Sequence, residues 1–283
     1  MELIVNGLRN TWQLKKLVAI LWITNLLIAG LFLIPYGKTF RDFFSNRLVT
    51  DVLVKQNIYT YYAEFYHNMN SAVDFSLSWI QLGNLVYYLL MALLTGGFIS
   101  ALLMKERSEF KAYWRDCLSY GTRMILLALF SPILLGIMFL IGIFVGLPFS
   151  FLLPEVFVED QYFYYMVLLA FLIFIFVLGG WLFLDIVKIK VIEGKTGGMG
   201  HALVDVFRLL TMNPVRFYSH YLAIFLIWII FMAMYWFLQH QLSDHSTMGI
   251  LLEFLLLQMV IWGQIWIRFS RYDILIQLMQ RGN

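Results

Sequence analysis

Apolar residues along the chain gather into six runs. Each is close to the ~20 residues that a helix rising 1.5 Å per residue needs to cross a ~30 Å hydrocarbon layer. The runs are Leu17–Pro35, Ser78–Met104, Met124–Leu147, Phe163–Val187, Phe217–Gln239 and Met248–Phe269. A second pattern lies between them. Met199, Ala202, Leu203, Val206, Phe207 and Leu210 recur at i, i+3, i+4, i+7, i+8 and i+11, with His201, Asp205, Arg208 and Thr211 on the other side; this spacing predicts an amphipathic helix. Phe110, Tyr113, Trp114, Cys117 and Leu118 repeat it opposite Glu109, Arg115, Asp116 and Ser119. Near the start, Ile4, Leu8 and Trp12 line one face among Asn6, Arg9, Asn10 and Gln13. Each amphipathic segment leads through a basic or polar break into a span: Lys15-Lys16, Thr122-Arg123 and Asn213 to Arg216. The predicted fold is an all-α integral membrane protein, residues 1–283 forming one polytopic domain. Its six transmembrane helices fall into three units of amphipathic helix, span and returning span.

Composition agrees with this pattern. Apolar residues make up 61% of the chain and charged residues 13%, whereas soluble domains sit near 45–50% and about 25%. A water-soluble fold of this size could not bury so much apolar surface. Charge then orients the spans. Of the 20 lysines and arginines, sixteen fall in the segments that share a side with the two termini. The other four, Lys38, Arg41, Arg47 and Lys55, lie in the first loop of the opposite side. The positive-inside rule therefore places both termini in the cytoplasm. The first run follows Arg9, Lys15 and Lys16 as a signal peptide would, but it is long and no small-x-small cleavage site follows it, so it is expected to remain as a span. A net charge of +3 is too small to indicate a nucleic-acid partner. Cys117, the single cysteine, excludes an internal disulfide and a cysteine-based metal cluster.

Candidate chemistry is sparse. No HExxH, P-loop, GxSxG or paired-cysteine motif occurs, so neither catalytic residues nor a cofactor is expected, and the chain reads as a non-enzyme. Glu253 lies inside the sixth run, where a carboxylate at the bilayer centre costs about 2.5–3.5 kcal/mol on insertion scales. It is either an intramembrane proton or cation site or a carboxylate near the outer interface. Asn25, Gln81, Asn84, Gln258 and Gln264 are further polar groups in or near spans, for which interhelical hydrogen bonding is the ordinary role. Asp185 and Lys188 can pair with each other. Lys105, Arg107, Lys111, Arg115, Lys188, Lys190, Lys195 and Arg208 form a basic collar suited to anionic lipid headgroups. His240, Asp244 and His245 offer zinc-type ligands, but so loose a set favours solvated loop residues over a metal site. Gly142 and Gly146, and the pairs Gly96/Ser100 and Gly97/Ala101, fit close helix packing, within the chain or between two copies. Pro132 is expected to kink the third span. The long outer loop, residues 36–77, carries Ile58, Tyr62, Phe65 and Met69 at helical spacing with Tyr59, Tyr61 and Tyr66 beside them. It reads as an interfacial helix or as a surface for a protein partner.

The junction between the fourth and fifth spans carries a resemblance. Asp185-Ile-Val-Lys-Ile-Lys-Val-Ile-Glu leads through Gly197-Gly-Met-Gly to His201-Ala-Leu-Val-Asp-Val-Phe-Arg-Leu-Leu, then Asn213 and the next span. With the long first outer loop and the short basic C-terminal tail, Arg268 to Gln280, this resembles the bacterial six-span YciC-like family. That family is related to the membrane domain of some glycerophosphodiester phosphodiesterases. The resemblance implies the fold and a bacterial inner-membrane location, and it implies no activity; phosphodiesterase chemistry does not carry over. The expected function is lipid binding or an envelope scaffold. The alternative is a small transporter or channel for a lipid-like or small solute.

Overall fold

The computed structural model describes residues 2–45, 70–104, 110–152, 159–194, 198–241 and 247–281. Every regular element among them is helical: α1 (Glu2–Gln13), α2 (Lys15–Ser45), α3 (Asn70–Leu103), α4 (Phe110–Gly146), a 3-10 turn (Leu147–Leu152), α5 (Glu159–Glu193), α6 (Met199–Met212), α7 (Pro214–Gln241) and α8 (Thr247–Gln280). Six of these helices, α2, α3, α4, α5, α7 and α8, are long and apolar enough to cross a membrane. The chain is a multi-pass helical membrane protein.

The helices outrun the apolar runs. α2 continues past Pro35 to Ser45 and α3 begins at Asn70, so both ends of the expected 36–77 loop are helical. The tyrosine-bearing stretch around Ile58, Tyr62, Phe65 and Met69 lies outside the described residues, as do Asp244 and His245. Two of the three expected breaks occur. Leu14 separates α1 from α2, its N–H donating to the Thr11 carbonyl at 3.0 Å, and Asn213 separates α6 from α7. The third does not: α4 runs unbroken through Thr122 and Arg123, because no proline or glycine-rich turn interrupts its backbone hydrogen bonds there. α4 also continues through Pro132. Proline lacks the N–H that would serve the Ala128 carbonyl four residues back, and the Ser131 hydroxyl donates to that carbonyl at 2.9 Å.

Packing divides the chain into two compact units. The first comprises Met1–Leu14, Ala92–Trp228 and Trp266–Asn283; the second comprises Lys15–Met91 and Ile229–Ile265. In the first unit, Leu94 to Leu102 is buried at every position, and Ile267, Phe269, Tyr272 and Ile274 to Ile276 are buried on α8. Burial without a helical period means a helix covered on all sides. The expected C-terminal tail is thus core, and α8 ends at Gln280 rather than Phe269. Apolar residues Ile274, Leu275, Ile276, Leu278 and Met279 make this possible. Phe98 stacks on Phe269 with ring centroids 3.7 Å apart. Small residues set the close contacts: a Cβ on Gly97 would stand 2.9 Å from the Tyr113 carbonyl oxygen, and one on Gly142 would stand 2.7 Å from Ile173 Cα. Gly142 and Gly146 therefore bring α4 against α5 within one chain.

In the second unit, Trp22 Nε1 donates to Gln258 Oε1 at 3.2 Å, and the Trp22 ring packs edge-on against Trp262. Phe32 meets Trp79 at 5.3 Å, and the Phe231 ring fills the space beside Gly263. Leu26, Leu27, Leu31, Leu33 and Ile34 stand exposed along α2, as a lipid-facing stripe requires.

Candidate functional site

Two features of the first unit carry polar chemistry. The first is a buried ionic cluster built on Asp185 of α5. Its carboxylate side chain is 4% exposed and accepts four groups. Lys188 Nζ (3.0 Å) and the Tyr272 hydroxyl (3.1 Å) donate to Oδ1. Arg271 Nη2 (2.8 Å) and the Tyr221 hydroxyl (2.9 Å) donate to Oδ2. Lys188 Nζ also donates to the Tyr272 hydroxyl at 3.3 Å. The Arg271 guanidinium lies over the Tyr221 ring at 5.1 Å and the Tyr272 ring at 5.9 Å, contacts in which the ring faces attract the cation. Local sequence explains the assembly. Asp185 and Lys188 are one turn apart on α5, while Arg271 and Tyr272 are adjacent on α8 and Tyr221 sits two turns into α7. A carboxylate offers about four lone-pair sites, so Asp185 is saturated and ties three helices together. Asp185 lies 26 residues from the start of α5, about 39 Å along the helix at 1.5 Å per residue. That distance exceeds the ~30 Å hydrocarbon thickness and reaches the headgroup layer.

The second feature is a set of outward stripes. α1 docks on the C-terminal part of α8: Asn10 Nδ2 donates to Asp273 Oδ2 at 3.0 Å, Trp266 Nε1 donates to the Leu8 carbonyl at 3.2 Å, and Trp12 meets Trp266 edge-on. Its buried residues are Leu3, Gly7 and Thr11, one register before the expected Ile4, Leu8 and Trp12. Glycine and threonine permit a closer approach than leucine, and a Cβ on Gly7 would stand 3.3 Å from the Ser270 carbonyl oxygen. Val5 and Trp12 face outward with Arg9. α4 divides likewise. Tyr113 and Cys117 pack inward against the Leu94 carbonyl, and Ser100 Oγ donates to Asp116 Oδ2 at 2.7 Å. Phe110, Trp114 and Leu118 face outward beside the exposed Lys111 and Arg115. In α6, Val206 is fully buried while Phe207, the next residue, is 67% exposed. Val204, Phe207 and Met212 also stand exposed on α6, with Arg208 beside Phe207. Each expected apolar face is therefore two faces, one packed and one presented. Sequence periodicity cannot separate them, since adjacent apolar residues on a helix point about 100° apart.

The expected site residues distribute as follows. Lys188 is in the buried cluster. Lys190 pairs with Glu193 at 2.7 Å, and Arg115 sits 3.5 Å from Asp116. Lys111 and Arg208 are exposed. Lys105, Arg107 and Lys195 lie outside the described residues. Glu253 is half-buried on α8, six residues or about 9 Å from the helix start, a depth that fits the interfacial layer better than the bilayer centre. Among the described residues it has no ion pair. Gln258 is held by Trp22 and Gln264 by Met232, so the polar residues of α8 do not converge on Glu253. His240 stacks on Trp236, and the described residues contain no group of three metal-ligating side chains. Arg271 and the two tyrosines escaped the sequence reading. Arg271 falls in the basic tail, two residues past the run that ends at Phe269, and the sequence signal that it belongs to a continuing helix is the apolar set Ile274, Leu275, Ile276, Leu278 and Met279 that follows it.

No family model matches the chain, and no curated protein or solved structure is similar to it.

Proposed function

We propose that the protein is a non-enzymatic integral membrane protein of a bacterial inner membrane, with its termini in the cytoplasm. Its terminal face binds anionic phospholipid headgroups. The observation that carries this reading is the combination, on α1, α4 and α6, of outward apolar side chains with Arg9, Lys111, Arg115 and Arg208. Exposed Trp12, Phe110, Trp114 and Phe207 have no reason to face water, whereas the interfacial plane accepts apolar side chains at acyl depth and cations among the headgroups. Each cation near an anionic leaflet contributes about 1 kcal/mol. The pattern shared with YciC-like six-span proteins and the positive-inside bias support the same placement. The test is native mass spectrometry of protein released from nanodiscs that hold phosphatidylglycerol and phosphatidylcholine in equal amounts. Retained lipid enriched in phosphatidylglycerol, with the enrichment lost on neutralising Lys111, Arg115 and Arg208, is the expected result. Retention in proportion to the bulk mixture contradicts it.

A further inference from the structure

We infer that Lys188, Arg268 and Arg271 form a discrete binding site for one phosphate group, of the kind carried by an anionic phospholipid headgroup. The inference rests on the lipid-binding reading and adds a specific, stoichiometric site to it. Three observations carry it. First, the local charge does not balance. Lys188 and Arg271 already share the one carboxylate of Asp185, and Arg268 stands one helical turn before Arg271 on α8. Two cations thus meet a single carboxylate, and a third stands one turn away on α8. Like charges three residues apart on a helix are destabilising, and a half-buried cluster of them calls for a counter-charge. Second, the donors outnumber the acceptors. Asp185 already accepts four hydrogen bonds. Arg271 Nε is buried with no partner, and Arg268 has no ion pair among the described residues. Buried donors of native proteins are nearly always matched, and guanidinium presents its N–H groups in a fork that fits two oxygens of one phosphate. Third, the site is at the right depth and is open. Lys188 and Arg271 side chains remain 19% and 20% exposed, and their positions on α5 and α8 lie roughly 36–44 Å from the far ends of those helices, within the headgroup layer.

In this arrangement Asp185 and the two tyrosine hydroxyls hold Lys188 and Arg271 in place. A phosphate meets the part-exposed donors of Arg271 and Lys188 together with those of Arg268. Arg268 is the residue to change, because it is not tied into the Asp185 network and its loss should leave the fold intact. The experiment titrates the purified protein in neutral detergent with dioctanoyl-phosphatidylglycerol and counts bound molecules by native mass spectrometry, with inorganic phosphate as a second probe. Wild type is expected to take up one lipid more tightly than those that follow. Arg268→Gln should weaken that first molecule about tenfold or more, as expected for loss of a charge-assisted contact, with Arg268→Lys partly restoring it and thermal unfolding unchanged in both. Neutralising Lys111 and Arg208 should weaken only the later molecules. Displacement of the first lipid by equimolar inorganic phosphate assigns the site to free phosphate; its retention assigns it to the headgroup. If the first lipid is indifferent to Arg268→Gln while the later ones respond to Lys111 and Arg208, the phosphate site is wrong and the collar stands. If neither set of variants alters lipid uptake, the lipid-binding reading itself fails.

Discussion

At the scale of single residues, Asp185 is the polar group on which most depends. Its carboxylate pairs with both Arg271 and Lys188 in a setting where an unpaired charge is expensive, and removing one partner of a buried pair typically costs about 3–5 kcal/mol. Asp185→Ala should destabilise the protein by that order, measured as reversible unfolding in detergent. Replacing Asp185, Lys188 and Arg271 together by apolar residues of similar size should be less damaging than Asp185→Ala alone, because no charge is left stranded. If the triple change proves worse than the single one, the cluster contributes something other than charge balance. Glu253 makes the opposite case. Lying near a helix end without an ion pair among the described residues, it should accept Glu253→Gln with a change within about 0.5 kcal/mol, as surface substitutions away from special contacts do.

At the scale of elements, glycine placement decides how closely helices approach. Gly142 faces the backbone of Ile173, whereas a Cβ on Gly136, six residues earlier on α4, would meet nothing within 4 Å. Gly142→Ala should therefore cost about 1–3 kcal/mol through overpacking. Gly136→Ala should be neutral or gain about 0.5–1 kcal/mol, since alanine is the better helix former. Equal effects at the two positions would show that α4 and α5 are not in close contact there. These contacts also explain which elements were legible in the sequence. The six spans were, because a run of apolar residues long enough to cross a bilayer admits few other readings. The packed face of α1 was not, because Gly7 and Thr11 carry little hydropathy signal and gain burial from small size; on α4 and α6 the buried Tyr113, Cys117, Ala202 and Val206 lie in the expected apolar stripes, but periodicity does not separate them from the outward Phe110, Trp114, Leu118 and Phe207. The extension of α8 was missed for a related reason: Arg268, Ser270, Arg271 and Asp273 break the apolar run and read as a tail, although the helix continues and Ser270 and Asp273 are buried. The ionic cluster needs residues 36 and 86 positions apart to meet, and no local pattern encodes that meeting.

For the whole molecule, the central claim is that the terminal face lies in the membrane interface and that the outward residues of α1, α4 and α6 enter the lipid. α6 is the clearest place to test it, since His201 and Phe207 are both exposed yet stand on different sides of the same helix. The most direct measurement is spin-label depth in phosphatidylglycerol-containing nanodiscs, comparing labels at Phe207→Cys and His201→Cys by their accessibility to oxygen and to a water-soluble nickel complex. Cys117 is buried and should not take up label. The account predicts that the label at 207 is relaxed by oxygen and shielded from nickel, as at acyl depth, while the label at 201 is reached by nickel. Equal nickel access at both positions would put α6 in water and contradict the interfacial placement on which the lipid-binding proposal depends.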